Sequence, residues 1–449
     1  MKKISQLQLY SDKSVTKTIS NNSEWGTFKD SLRAPVHRWF TYPAGFSYKA
    51  VRHSLDLYDI GNGHTVYDPY MGSGTTNVEA KRMGINSIGF EAHPFVFKIA
   101  EAKLQWYLSD NEFRGFIDNV KHNLNSMAGK LKNYNLESEF PKLILNCYTE
   151  KSLFDLWALR NLYKNSNLSQ HLANFFFVVI TALLRDVSTA ATGWPYIAPK
   201  KKKVTSFDKV VLDEFVSLSW KMYNDIAKMK KIANDNYINS SHKIYNEDSR
   251  STIGIIDDES VDHVFTSPPY LNNFDYADRT RLEMYFWGEA SSWGEITSKV
   301  RTKLITSATT QIRRSDSKYK ILNEFKVDSP KITEFIKKSS NLLSEIRLTK
   351  GGRKSYDLLV VGYFNDIYRT LKDIYRILKP NSHALFVLGD SAPYGVHIPT
   401  DTLIGDIGKT IGFNDYELEV LRERGGKWKK NPQRHSVKLR ESIVKLRKA

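Results

Sequence analysis

Residues 64–91 read HTVYDPYMGSGTTNVEAKRMGINSIGFE and contain the clearest structural signal in the chain. His64–Tyr67 is a short aromatic and β-branched run that predicts a strand, and Asn86–Phe90 predicts a second one. Between them, Thr75–Met83 has the pattern of a helix, which Gly84 ends. Strand, helix and strand in this order predict a βαβ unit with a right-handed crossover, and hence a parallel sheet in a doubly wound α/β fold.

The loop between the first strand and the helix is rich in glycine. Gly72 and Gly74 allow a ligand to approach the backbone closely, and the start of the next helix supplies N–H groups. Glu91 ends the second strand, 17 residues after Gly74, where a carboxylate can accept hydrogen bonds from two ribose hydroxyls. A structural turn with a solvated glutamate would explain the same residues. Because no Gly-Lys-Ser/Thr follows, the pattern favours a nucleoside cofactor without a triphosphate.

A second loop follows another predicted strand, Val261–Phe265, and reads Thr266-Ser267-Pro268-Pro269-Tyr270. Two successive prolines lack backbone donors and fix φ, so the carbonyl groups are held in defined directions. The polar side chain before them and the aromatic ring after them suit a flat ring that carries an amine. An ordinary proline-rich turn, or a short peptide ligand, is the alternative interpretation.

The second loop, residues 267–270, resembles the catalytic motif of amino-group DNA methyltransferases, and Asp68–Thr76 resembles their S-adenosylmethionine loop. A serine in the first position is more similar to the cytosine-N4 branch than to the adenine-N6 branch, where aspartate or asparagine is usual. The resemblance implies S-adenosylmethionine as cofactor and four catalytic residues: Ser267, Pro268, Pro269 and Tyr270. The implied cofactor-binding residues are Phe46, Asp68, Tyr70, Gly72, Ser73, Gly74, Thr75, Thr76, Glu91 and Asp248.

The chemistry of an exocyclic amine fits these residues. Its lone pair is delocalised into the ring, and hydrogen bonds accepted by Ser267 and by the Pro268 carbonyl would draw it out of conjugation. Tyr270 would stack on a base that has been flipped out of the duplex. No metal is required. Carbon-5 methylation of cytosine needs a cysteine thiolate, and the single cysteine, Cys147, lacks the preceding proline of those enzymes, so we interpret it as structural.

The composition sets wider limits. The chain has 449 residues and a formal net charge of +17, which suggests a polyanionic partner. One cysteine excludes an internal disulfide and a cysteine-rich zinc site. The start of the chain does not resemble a secretory signal, and the apolar run at Phe175–Leu184 is about half of a membrane span. We expect a soluble, intracellular (cytoplasmic) protein without a membrane partner.

Changes in composition and hydrophobic pattern along the chain predict one α/β core that is interrupted twice. The resemblance implies that this core is a methyltransferase core. A polar arm, 1–32, precedes the cofactor-binding half of the core, 33–101. A helical insertion, 102–240, precedes the catalytic half, 241–289. The segment 290–355, with 15 Lys/Arg against 6 Asp/Glu, is a candidate target-recognition insertion. The core ends with strands and helices in 356–449, including a predicted helix at Phe364–Leu378, a turn at 379–381 and a strand at 384–388.

Several basic residues are candidates for contact with DNA: Lys200, Lys201, Arg313, Arg314, Lys427 and Lys429. Each is more often part of a solvated surface, but together they suit the salt-sensitive affinity for a polyanion. Thr309–Gln311 has polar side chains of the kind that read base edges. The segment from Leu183 to Tyr196 is unusual in a helical region. It is explained by packing beside the active site, by a buried salt bridge or by a helix end.

These features predict methyl transfer to the N4 amine of cytosine in a specific sequence of double-stranded DNA, as the protective half of a restriction–modification system with a partner restriction endonuclease. Three alternatives stay open at this point. They are adenine-N6 methylation, methylation of an RNA amine, and an inactive DNA-binding relative that keeps the fold.

Overall fold

The computed structural model of the protein describes residues 17–42, 45–127, 134–191, 197–203, 209–272, 274–424 and 438–449. Its strands, in chain order, are β1 (Lys17–Ile19), β2 (Thr65–Asp68), β3 (Asn86–Phe90), β4 (Ala190–Ala191), β5 (Ala198–Lys202), β6 (His242–Tyr245), β7 (Val261–Thr266), β8 (Leu378–Gly389), β9 (Asp415–Arg424) and β10 (Leu439–Arg447).

The α-helices run around and beside these strands. In chain order they are α1 (Tyr48–Leu57), α2 (Thr75–Met83), α3 (Pro94–Lys103), α4 (Asp110–Met127), α5 (Lys142–Leu145), α6 (Glu150–Asn165), α7 (Gln170–Asp186), α8 (Val211–Ile232), α9 (Tyr276–Arg279), α10 (Arg281–Trp287), α11 (Trp293–Ile296), α12 (Asn323–Asp328), α13 (Pro330–Leu348), α14 (Tyr356–Ile377) and α15 (Thr400–Ile411). No helix in these described ranges is long and apolar enough to cross a membrane.

An eight-stranded sheet forms the centre, in the order β1-β9-β10-β8-β7-β2-β3-β6. The strands β6, β3, β2, β7 and β8 are parallel to one another, whereas β10 is antiparallel to both of its neighbours. The predicted βαβ unit is β2-α2-β3, and the doubly wound α/β fold is confirmed.

The order of the strands reverses between β2 and β7. From β2 the chain goes outward to β3 and β6, and it then returns to β7 and β8 on the other side. In open α/β sheets, ligands bind outside the carboxyl ends of the strands at such a reversal. Both of the loops singled out in the sequence leave the sheet there, one after β2 and one after β7.

The region 102–240 is helical, as the pattern predicted. Helices α4, α6, α7 and α8 pack around a shared apolar core, to which α3 and α10 also contribute. The side chain of Cys147 is buried in this region.

The predicted polar arm, 1–32, differs from expectation in the part that is described. Lys17–Ile19 pairs in parallel with Leu418–Val420, so the arm adds β1 to the edge of the sheet. Phe28 and Ser31 are buried. Residues 1–16 lie outside the described ranges.

The prediction of a turn between two elements at 379–381 is wrong. These residues lie within β8, and they form a bulge in which the pairing with β7 shifts between Val261 and His263. Asn381 takes the strained backbone angle, with a φ of 61°. The helix before it begins at Tyr356 rather than at Phe364, since the buried face extends two turns further than the pattern indicated.

Part of the segment 290–355 packs into the apolar cluster that also contains residues of the central sheet. Its longest helix, α13, packs on α14 through Phe335, Ile336 and Leu343, which belong to the same apolar cluster as the helix it covers. The basic composition of the segment is therefore confined to its outer surface at this helix.

Candidate active site at the carboxyl ends of the strands

A cavity of about 800 Å³ opens at the reversal of strand order. Its residues come from the loops after β2, β3, β6 and β7, from the segment before α1 and from the segment after α11. The lining residues are Tyr42, Gly45, Phe46, Pro69, Tyr70, Met71, Gly72, Ser73, Thr75, Phe90, Glu91, Ala92, Asp248, Ser249, Ser267, Pro269, Tyr276, Lys303, Leu304, Ile305 and Ser307.

The loop after β2 is held open by two left-handed glycines. Gly72 has a φ of 54° and Gly74 a φ of 85°, a region that other L-residues enter only with strain. A Cβ at Gly74 would lie 3.3 Å from the Cβ of Ala100 on α3, so the close approach of α2 and α3 also requires glycine there. The backbone N–H of Gly72 points at Glu91 and donates to its Oε2 at 2.9 Å.

Glu91 lies at the end of β3, on the wall of this cavity. Its Oε1 accepts a hydrogen bond from the backbone N–H of His93 at 2.8 Å. Burial raises the pKa of Glu91 to about 7, although these two backbone donors oppose the shift. Each carboxylate oxygen has a second lone pair, which can accept a further donor such as a hydroxyl.

Asp68 connects the two loops from below the cavity. Its Oδ1 accepts from the Thr266 hydroxyl at 2.6 Å and from the Tyr70 N–H at 3.0 Å. Thr76 makes a parallel connection, because its hydroxyl donates to the Phe265 carbonyl of β7 at 3.2 Å. Burial raises the pKa of Asp68 to about 6. Both side chains thus hold the loop after β2 against β7.

Ser267 is the first residue of the loop after β7. Its hydroxyl donates to the Val387 carbonyl of β8 at 2.9 Å. Because a hydroxyl has one hydrogen and two lone pairs, this bond uses its donor and leaves its acceptor sites. The prolines that follow have no N–H. The loop after β7 therefore presents hydrogen-bond acceptors to the cavity.

Comparison with known proteins gives a consistent set of relatives. A family model described as DNA methylase matches residues 6–102. Over 96% of its length the chain is 24% identical to the Type II methyltransferase M.BsoBI of Geobacillus stearothermophilus, covering 89% of that protein. It is 23% identical to M.MvaI of Kocuria varians over 89% of the chain and 86% of the relative. The Type II methyltransferase M.AvaI of Nostoc sp. is 23% identical over 94% of the chain and 88% of the relative.

The chain is similar along nearly its whole length to Type II DNA methyltransferases. S-adenosylmethionine is accordingly its cofactor, and the cavity can be compared with that molecule. A methionine-like tail and a ribose need acceptors and N–H groups, while a purine needs apolar faces. Glu91 supplies acceptors, and the glycine loop with the start of α2 supplies N–H groups. Phe46, Tyr70 and Phe90 are among the apolar residues of the wall. The residues present fit the cofactor.

Seven of the ten residues that the resemblance implied for binding the methyl donor line the cavity. They are Phe46, Tyr70, Gly72, Ser73, Thr75, Glu91 and Asp248. Asp68, Gly74 and Thr76 lie behind this wall and support it through the contacts described above. The carboxylate of Asp248 accepts from Arg250 Nε at 2.8 Å, and Arg250 in turn reaches Asp366 at 2.8 Å.

The four residues of the methyltransferase motif after β7 do not share one environment. Ser267 and Pro269 line the cavity, whereas Pro268 and Tyr270 are outside its lining. The Tyr270 hydroxyl donates to Glu441 Oε1 of β10 at 3.0 Å, and the Arg424 guanidinium lies 5.3 Å from the centre of the tyrosine ring. Burial raises the pKa of Tyr270 well above its usual value.

Several residues of the methyltransferase cavity were missed by sequence reasoning. Tyr42 and Tyr276 stand 5.8 Å apart on one wall, and Leu304, Ile305 and Ser307 come from the basic segment. Tyr42 is four residues before Phe46, which the resemblance implied as a cofactor-binding residue. The residues after α11 belong to no motif, so no signal in the sequence identified them.

The structure describes the side chains of three of the six candidate DNA contacts. Lys201 and Arg313 are exposed, while Arg314 is paired with Asp357 at 2.9 Å. The backbone of Lys200 lies in β5, but its side chain, like Lys427 and Lys429, is outside the described part of the chain. Gln311 organises its own loop, because its Oε1 accepts from the N–H groups of Ser307 and Ala308, each at 2.8 Å.

Proposed function

We propose that the protein transfers a methyl group from S-adenosylmethionine to the exocyclic N4 amine of cytosine in double-stranded DNA. The coarser part of this statement, S-adenosylmethionine-dependent methylation of an amine in DNA, is supported by the family model and by relatives along nearly the whole chain. The choice of cytosine N4 depends on Ser267 and on the acceptor character of the loop after β7.

When bound, the cofactor supplies an electrophilic methyl group on a sulfonium sulfur. Glu91 would hold the ribose through its free lone pairs, and the left-handed loop at Gly72 would leave room for the tail beside its backbone. Asp248 borders the same cavity and would accept a hydrogen bond from the adenine amine. The apolar rings of Phe46 and Tyr70 would exclude water from the reacting groups.

The observation that carries the proposal is the hydrogen bond from Ser267 to the Val387 carbonyl, at 2.9 Å. While its hydrogen is donated there, Ser267 Oγ keeps two acceptor lone pairs, and an exocyclic amine is a donor. A hydrogen bond accepted from one N–H would keep electron density on nitrogen, while the proton that is lost on methylation leaves from the same atom to solvent. Pro268 would provide a second acceptor through its carbonyl.

Tyr270 is proposed to stack on the flipped cytosine. The Arg424 guanidinium lies over its ring, 5.3 Å from the ring centre. Movement of that guanidinium toward a backbone phosphate would uncover the ring face as DNA enters, because phosphate is a stronger partner for arginine than an aromatic face. Glu441 would keep the hydroxyl end of the ring in place.

The segment 290–355 is proposed to read the target sequence. Lys303, Leu304, Ile305 and Ser307 bring this segment to the wall of the cavity, next to the position that the target base would occupy. Its excess of lysine and arginine suits contact with phosphates. For the rest of the chain we propose the division 1–32, 33–101, 102–240, 241–289 and 356–449. Within the first of these units, β1 pairs with β9 of the core.

A labelling experiment tests the proposed reaction. Duplex DNA that contains many sequences is incubated with the protein and methyl-labelled S-adenosylmethionine, and is then digested to nucleosides. N4-methylcytosine is the expected product. N6-methyladenine would redirect the reaction to adenine, label only in an RNA control would exclude DNA as substrate, and no label in either would identify an inactive relative.

A protective role is proposed because the relatives are named Type II methyltransferases. If the protein protects DNA from a partner restriction endonuclease, its methylated plasmid should resist a defined set of restriction enzymes and be cut by others. Sequencing of the modified positions then gives the recognition sequence. Methylation scattered over unrelated sequences would contradict the protective role.

A further inference from the structure

A second cavity is lined by Thr41 and Arg279, which are close in the chain to Tyr42 and Tyr276 of the cofactor cavity. It has a volume of about 640 Å³, is open to solvent, and lies between α7, α8, α9 and the segment 38–41. Charged side chains form much of its wall, whereas the wall of the first cavity is mainly apolar. The motifs of the methyltransferase do not use it.

Two of its arginines are neutralised by buried carboxylates. Arg38 Nε donates to Asp225 Oδ2 at 2.8 Å, and the Trp39 indole N–H reaches the same oxygen at 3.2 Å. Arg185 binds Glu283, a fully buried side chain of α10, with a closest distance of 2.5 Å. This ion pair is the buried salt bridge that was one of the explanations for the unusual segment at the end of α7.

Arg279 is the remaining buried cation of this cavity. The residue is 6% exposed. Its Nη2 donates to the Thr41 carbonyl at 3.3 Å, but its Nε and Nη1 have no hydrogen-bond partner among the described residues. Burial, and then the nearby Arg185, lower the pKa of Arg279 to about 10, so the side chain is charged at neutral pH.

Arg185 adds a further donor to the same space. Its Nη1 also lacks a hydrogen-bond partner within the described ranges. Three guanidinium nitrogen atoms, one on Arg185 and two on Arg279, are therefore buried and unsatisfied among the described residues, and one positive charge has no carboxylate of its own. Buried donors without partners are rare in proteins and costly, unless a ligand or water satisfies them. Lys221 and Asp186 at the cavity wall offset one another in charge.

We propose that this cavity binds a tetrahedral phosphate oxyanion through Arg279 and Arg185. Guanidinium groups bind phosphate with two parallel hydrogen bonds, and a buried pair of them selects an anion over a neutral ligand. The phosphate group comes either from a small free molecule or from the backbone of DNA. The inference does not depend on which amine the enzyme methylates.

The cavity also has a structural route to the cofactor. Helix α9 carries Tyr276 of the cofactor cavity at one end and Arg279 at the other, and Thr41 precedes Tyr42 in the chain. An anion that fixes Arg279 would thus restrain two aromatic residues of the cofactor wall.

Thermal unfolding with inorganic phosphate tests the site. At constant ionic strength, replacing chloride by about 10 mM phosphate should raise the Tm of the full chain by about 2 °C or more. The Arg279→Met variant should lose this increase. The matched control is Arg114→Met, which removes an exposed arginine of α4 that is paired with Asp110, and it should keep the increase.

A second variant avoids the removal of a buried charge. Ala182 lines the cavity, so Ala182→Leu should fill the space and abolish the effect of phosphate while both arginines stay in place. If the wild-type Tm does not respond to phosphate, or if Arg279→Met and Ala182→Leu respond as strongly as Arg114→Met, the proposal is wrong.

Calorimetric titration of phosphate in the presence of saturating duplex DNA separates the two sources. If DNA prevents the binding of phosphate, the oxyanion is a backbone phosphate, and Arg279→Met should also reduce the salt dependence of DNA binding by about one counterion. If phosphate binds equally well with DNA present, the ligand is a small free phosphate compound.

Discussion

The two loops that meet at the reversal of strand order have opposite hydrogen-bonding character. The loop after β2 contains Gly72 and Gly74 in left-handed conformations and donates the Gly72 N–H to Glu91. It leads into the first turn of α2, whose N–H groups have no partner within the helix. The loop after β7 contains two prolines, which have no N–H, and a serine whose hydrogen is already donated to Val387. One loop offers donors, and the other offers acceptors.

This difference explains how two ligands can be distinguished within one cavity. The tail of the cofactor carries a carboxylate and needs donors, whereas a target amine needs acceptors. Asp68 joins the loops through its bond to Thr266 at 2.6 Å, so the two surfaces are fixed relative to each other. Substitutions in one loop should therefore change cofactor binding, and those in the other should change the chemical step.

The largest effect is expected for Ser267→Ala. Loss of the acceptor at the amine should lower kcat on the order of 100-fold, with little change in the affinity for S-adenosylmethionine. Single-turnover kinetics with saturating cofactor measures the chemical step. The matched control is Ser73→Ala, a serine of the other loop, which should weaken cofactor binding and leave kcat close to wild type. Equal losses of kcat in both variants would refute the division of roles.

A smaller effect is expected for Gly74→Ala. The variant must place an L-residue at a φ of 85° and a methyl group 3.3 Å from Ala100, and the strain should weaken cofactor affinity about tenfold. Equilibrium titration of the cofactor provides the measurement. Gly115→Ala in α4 is the control, because a Cβ there meets open space and should stabilise the helix slightly. Unchanged cofactor affinity in Gly74→Ala would show that the loop is not shaped by this glycine.

The pH dependence of cofactor binding should reflect Glu91. Its pKa is raised to about 7 by burial in the cofactor-free protein, and ribose hydroxyls that donate to it favour the charged form. Binding should therefore release a proton, and the affinity should fall up to about tenfold for each pH unit below 7. Calorimetry in buffers of different ionisation enthalpy detects this proton. A Glu91→Gln variant should bind weakly at every pH, and a wild-type affinity that is constant from pH 5.5 to 8 would contradict the assignment.

The smallest effect concerns adjacent arginines on the proposed DNA-reading segment. Arg313 is exposed, whereas Arg314 is paired with Asp357 at 2.9 Å. Arg313→Gln should weaken DNA binding a few-fold and lower its salt slope by about one. Arg314→Gln should mainly lower the free energy of unfolding, by about 0.5 kcal/mol. The two quantities are measured by salt-dependent DNA titration and by denaturant unfolding, and the reverse pattern would assign the phosphate contact to Arg314.

Local features of the fold were predictable from the sequence. Thr75–Met83 and Asn86–Phe90 have the predicted bounds, because glycine, alternation and helix composition act within a few residues. The bulge at Asn381 was not predictable, since it arises from the register between β7 and β8. The same residue types favour a turn and a bulge, and the pairing with the partner strand decides which of the two forms.

Site residues were predictable where a motif carried the chemistry. Ser267 and Glu91 were found because their types and spacing match a reaction. The environment of Tyr270 was not, because Glu441 is 171 residues away along the chain. Arg279 was missed for the same reason: its burial results from the packing of α7, α8 and α9, and a lone arginine in a sequence does not indicate whether its guanidinium is satisfied.

The short strand β1 has a practical consequence for handling the protein. It covers only Leu418–Val420 of the ten-residue strand β9, and it is the outermost strand of the sheet. A chain shortened to begin at residue 21 would leave the backbone groups of β9 open to pairing with another molecule, which is a common origin of aggregation. Affinity tags and truncations are therefore better placed so that Lys17–Ile19 stays attached to its partner strand.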